Sequence, residues 1–111
     1  MVILGKTSFM LFQLSVPPEL AVYGVEDALN AGDDVSLTCN VFKGDTPLSI
    51  SWTFHGKQLP MDRQFTTLPA GERTNILLIK EVSHGHSGTY TCLAKNAAGK
   101  ASVSIPLVVK G

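Results

Sequence analysis

A chain of 111 residues, 44% apolar and 16% charged, has the length and composition of one compact domain rather than a disordered segment. Nine basic residues balance nine acidic ones with no run of one sign, which argues against a basic nucleic-acid surface or a polybasic membrane patch. No stretch reaches the ~18 consecutive apolar residues of a membrane helix, and the low charge leaves little to keep the surface from associating with copies of itself.

Residues 1–15 (MVILGKTSFMLFQLS) stand apart: they are apolar, carry only Lys6 as a charge, and end just before Pro17 and Pro18. They read as a separate N-terminal segment, either a secretory signal with a weak basic start and cleavage site or a remnant of expression. The domain is set at 16–111. From Pro17 the pattern alternates at period two, broken by turn residues every eight to twelve positions. Val35–Val41 (VSLTCNV) is a strand with apolar residues at 35, 37, 39 and 41, and Ser49–Phe54 (SISWTF) is a second, anchored by Trp52. His55 to Lys57 signals a tight turn, and Pro69 to Gly71 another. Thr74–Lys80, Thr89–Lys95 and Ala101–Val109 complete the series, with Asn96 to Gly99 as a hairpin turn. Pro106 confines the last strand to a sheet edge or marks a bulge. The only candidate helical turn is Val82–Ser87. Strands of this number and spacing predict an all-β, two-sheet antiparallel sandwich, since one sheet alone would leave its apolar sides wet.

Two cysteines, Cys39 and Cys92, are by themselves compatible with a disulfide or with two buried thiols. Their setting is more informative. Trp52 follows Cys39 by thirteen residues on the next strand, and Tyr90 precedes Cys92 by two. This Cys, Trp, Tyr-x-Cys arrangement resembles the immunoglobulin superfamily from about Val16 to Val109. Leu77-x-Ile79-x-x-Val82 followed by Gly88-x-Tyr90-x-Cys92-x-Ala94-x-Asn96-x-x-Gly99 is similar to the I-set type, and no room exists for a variable domain's extra hairpin. More narrowly, KGDTPLSISWTFHGKQL (43–59), VPPEL, LLI and NAAG resemble Dscam-type cell-adhesion molecules.

The resemblance implies a Greek-key immunoglobulin sandwich with Cys39 and Cys92 joined across the core, Trp52 packed on the bridge, and the Tyr90 hydroxyl bonded back to the E–F corner. A disulfide implies a compartment outside the reducing cytosol. The family further implies an extracellular domain of a single-pass membrane receptor in neuronal or immune recognition, binding homophilically in antiparallel pairs with isoform specificity. One departure is evident: such domains place Asp where His86 stands, paired with an Arg for which Arg63 is suitably positioned. That pair is expected to be missing here, with His86 turned to backbone or solvent.

Catalytic and metal chemistry finds little support. His84 and His86 lack further ligands at zinc spacing, and Ser87 has no Gly-x-Ser-x-Gly elbow. Asp33 and Asp34 precede a strand and read as solvated rather than as a calcium site. No enzyme activity, cofactor, metal, nucleic-acid partner or direct membrane contact is therefore expected. Function is sought on a surface. If Leu77, Ile79 and Val82 point inward, Ile76 and Leu78 point outward on the A-B-E-D sheet, beside Ser36, Thr38 and Asn40 of strand B. The other sheet shows Thr91, Leu93, Lys95, Ser102 and Ser104. Asn30, Asn40, Asn75 and Asn96 all lack the sequon hydroxyl, so no N-linked glycan masks either face. The strip Ser36, Thr38, Asn40, Ile76 and Leu78 is the candidate homophilic interface, with the N-terminal segment or strand A as the alternative cover. Two other functions compete: a heterophilic ligand-binding domain of an immune or growth-factor receptor, and a muscle-type structural module, which needs no disulfide.

Overall fold

The computed structural model describes residues 15–24, 29–60 and 62–111, so the expectation for residues 1–14 lies outside the described residues. The strands are β1 (Glu19–Tyr23), β2 (Leu29–Asn30), β3 (Val35–Lys43), β4 (Ser49–Phe54), β5 (Lys57–Gln58), β6 (Phe65–Pro69), β7 (Thr74–Ile79), β8 (Gly88–Asn96), β9 (Gly99–Leu107) and β10 (Val109–Lys110). The expected helical turn is a short 3-10 turn at His84–His86.

One sheet has the order β1-β3-β7-β6 and the other β5-β4-β8-β9, corresponding to strands A-B-E-D and C′-C-F-G. The chain changes sheet between β3 and β4, between β5 and β6, and between β7 and β8, which makes the sandwich a Greek key. Alternation is the cause. Val35, Leu37, Cys39 and Val41 of β3 and Leu77 and Ile79 of β7 are buried, and they meet Trp52, Tyr90, Cys92 and Ala94 of the opposite sheet. Cys39 and Cys92 form the disulfide between the sheets, with their Cα atoms 6.4 Å apart. Trp52 lies beside Cys92 in register and packs in the same core.

The end of the chain departs from expectation. Instead of one strand to Val109, β9 stops at Leu107, and β10 pairs in parallel with β2. Pro106 lies opposite Thr89, whose main-chain groups address β4, so its missing N–H falls on the outer edge of β9 and the β8 ladder runs on to Leu107. Beyond it, the Val109 N–H is taken by Ser87 Oγ at 2.9 Å. Val109 and Leu29 are both buried, so apolar burial draws the last residues across to β2. Among the described residues the sandwich therefore contains one short parallel pair.

HGHSGTYTC (84–92) builds the corner before β8. Tyr90 is fully buried and its hydroxyl donates to the His86 carbonyl at 2.7 Å. His86 is buried rather than solvent-facing: its Nδ1 accepts from the Ser83 N–H at 2.9 Å, and the ring meets Phe65 edge-on. An imidazole thus occupies the place expected for Asp by bonding locally, without the Arg partner. At Gly88, with φ of 152°, a Cβ would collide with the His55 ring. Tyr90 also stacks on Phe54 with ring centroids 4.5 Å apart.

Tyr90→Phe should lower stability by about 1–3 kcal/mol in chemical denaturation, because it leaves a carbonyl without its donor. Burial pushes the Tyr90 phenol above its ordinary value near 10. Folding thus favours the protonated form, so this contribution is complete below pH ~10 and declines as pH rises through the raised folded value. The wild-type chain should lose stability on alkaline titration, and Tyr90→Phe should flatten that decline.

Candidate recognition surface

The outward side of β1-β3-β7-β6 is assembled by strand register. Tyr23 pairs with Thr38, Thr38 with Ile76, and Ile76 with Leu68, so one row of side chains crosses all four strands. A neighbouring row runs from Ser36 through Leu78 to Thr66. The row on the other side holds Ala21, Asn40 and Thr74, where Thr74 Oγ1 donates to Asn40 Oδ1 at 3.0 Å. Cα partners on adjacent strands share a face, so these rows form one surface. None of these side chains is charged. Charges sit at its border, including the exposed pair of Glu19 and Lys43 at 3.6 Å.

Ile76 and Leu78 are half-buried and outward, as are Thr38 and Asn40, while Ser36 is exposed. β1 does not cover them, since it lies beside β3 within the same sheet. Three large side chains join this strip. Tyr23 and Leu68, 57% and 49% exposed, terminate the central row, and Phe42 extends the outward side of β3. Tyr23 follows from alternation with Leu20 and Val22, which pack inward. Leu68 depends on the β6–β7 register, which sequence spacing does not fix. A shallow depression of about 400 Å³ lies at the Leu78 end, bordered by Ser36 and Thr66.

The remaining candidates have structural partners. Asp33 Oδ2 accepts the Asn30 N–H and Asp34 Oδ1 accepts the Glu81 N–H, each at 2.9 Å. These carboxylates therefore tie loops and are not simply solvated. Among the described residues, no three His, Cys, Asp or Glu side chains gather as metal ligands. On the opposite sheet, Thr91 and Ser104 bond to one another at 2.7 Å.

The family model described as immunoglobulin domain matches residues 17–96. The chain belongs to the immunoglobulin domain family. Within that family it is similar to the cell adhesion molecule Dscam1 of Drosophila melanogaster, 36% identical over 89 residues. That match covers 78% of this chain and 4% of Dscam1, so the chain spans a small fraction of its relative. A crystal structure of the Dscam1 Ig7 domain, isoform 9, superimposes with a TM-score of 0.78 at 34% identity, covering 85% of this chain and 100% of that one. The titin I-band fragment I67–I69 gives a TM-score of 0.74 at 31% identity, covering 85% of this chain and 32% of the fragment. The chain is thus a Dscam-like immunoglobulin domain.

Proposed function

We propose that this chain is an extracellular recognition domain of a Dscam-like, cell-surface single-pass adhesion receptor. It binds a second copy of itself, antiparallel and with isoform specificity, through the β1-β3-β7-β6 face. The observation that carries this reading is the uncharged row Tyr23–Thr38–Ile76–Leu68 spanning the whole sheet. A face that meets its own copy across a two-fold axis must tolerate its own charges, and an uncharged face does so without like-charge repulsion. The Cys39–Cys92 bridge supports an oxidising, extracellular setting.

Ile76→Asp combined with Leu78→Asp is expected to leave the domain folded and make it monomeric, since each aliphatic buried at an interface contributes roughly 1.5–3 kcal/mol. Sedimentation velocity reads the result against Ser102→Asp, a control on the other sheet. An undiminished dimer in the double variant would exclude this face. Similarity to a titin fragment favours a second reading, a structural spacer. A thiol count on denatured, unreduced protein separates them, because two free thiols would favour the spacer. Failure of the wild-type chain to self-associate at high concentration would instead favour a heterophilic ligand.

A further inference from the structure

Away from this face, the sandwich has an open seam between β4 and β6. Among the described residues, β5 is registered only against Thr53 and Phe54, so Ser49–Trp52 has no strand on that side. Main-chain groups alternate in direction along an antiparallel strand. The His55 N–H bonds Thr89 of β8, so odd-numbered residues of β4 address β8 and Ile50 addresses the seam. β6 forms the other wall and is itself an edge strand, paired among the described residues only with β7.

Two clefts of about 250 and 340 Å³ occupy the seam and share Ile50 and Asn75. Trp52 and Leu59 line the first, and Pro69 the second. Trp52 is 95% buried (5% exposed), yet among the described residues its Nε1 has no hydrogen-bond partner, and neither has the buried Oδ1 of Asn75, a residue of the same cleft. An unpaired buried donor and an unpaired buried acceptor are costly, and native interiors rarely keep them. The seam therefore combines an open strand edge with apolar walls, over a buried donor and a buried acceptor without partners among the described residues. Among the described lining residues Glu72 is the one ionisable side chain.

We propose that this seam binds an extended, uncharged peptide segment of another polypeptide as an added strand on β4. The peptide's main chain pairs with Ile50. Alternate side chains enter the two clefts, against the Ile50, Trp52 and Asn75 side chains that line them. Main-chain pairing with side-chain pockets at alternate positions is the general physics of strand addition. The open edge is four residues long and ends against β5, with β6 opposite, which admits a single chain rather than the sheet of a second copy.

The test uses random eight-residue peptides displayed on phage and selected on the 111-residue chain, followed by synthesis of an enriched sequence. In a titration followed by nitrogen–proton NMR, the indole N–H of the single Trp and the Ile50 amide should shift. N-methylation of the peptide at alternate residues should weaken binding at least tenfold at one parity and leave the other within twofold. Three results would overturn the proposal: no binder tighter than about 1 mM, shifts confined to the β1-β3-β7-β6 face, or equal losses at both parities. Shifts of Ile50 and the indole on concentrating the domain without peptide would show a second copy there and overturn the choice of partner.

Discussion

Replacing both cysteines, Cys39→Ala with Cys92→Ala, is expected to lower stability by about 4 kcal/mol. The bridge closes a loop between residues 53 apart, and the chain-entropy model assigns a loop of that size roughly this value. Both residues are fully buried, so the lost sulfur packing adds to the effect. Small domains retain about 5–15 kcal/mol in total, which leaves the double variant near the margin of folding. Urea denaturation checks it through the midpoint, and unfolding of the wild-type chain after reduction should approach the same value. A loss below about 1 kcal/mol would show that the paired sheets hold without the bridge.

The second large effect concerns Trp52, where two substitutions should diverge. Trp52→Ala removes the largest side chain of β4 from beside the disulfide and should cost about 3–5 kcal/mol. Trp52→Phe keeps an aromatic ring in the core and removes an N–H that has no partner among the described residues. Deleting an unsatisfied donor offsets part of the lost volume, so its cost should stay within about 1.5 kcal/mol. Comparable losses in the two variants would show that a Phe ring does not replace the indole's packing in the core.

Most of the architecture follows from local pattern. Alternation at 35, 37, 39 and 41 places β3 and its buried face, and the Tyr90-x-Cys92 spacing places β8 and its corner bond. Asn75 is an inward position that the pattern also marks. Parity with Leu77 and Ile79 turns it inward, opposite Cys39, although its side chain is polar. β10 was not legible, because its pairing with β2 depends on residues far apart in the chain rather than on alternation. His86 was legible as a departure from the family pattern, but its burial was not. That burial rests on the Ser83 N–H and Phe65, which only the folded corner brings together.

The sequence alone determined the class of fold, the disulfide partners implied by family resemblance, and an uncharged outward stripe at Ile76 and Leu78. These depend on period-two alternation and on residue type at fixed spacing. Tertiary structure decided how far that stripe extends, by aligning Tyr23 and Leu68 with it across four strands. It also decided that β5 stops short of Trp52, which opens the seam. Register and strand length at a sheet edge are set by packing between elements distant in sequence, and no local pattern encodes them.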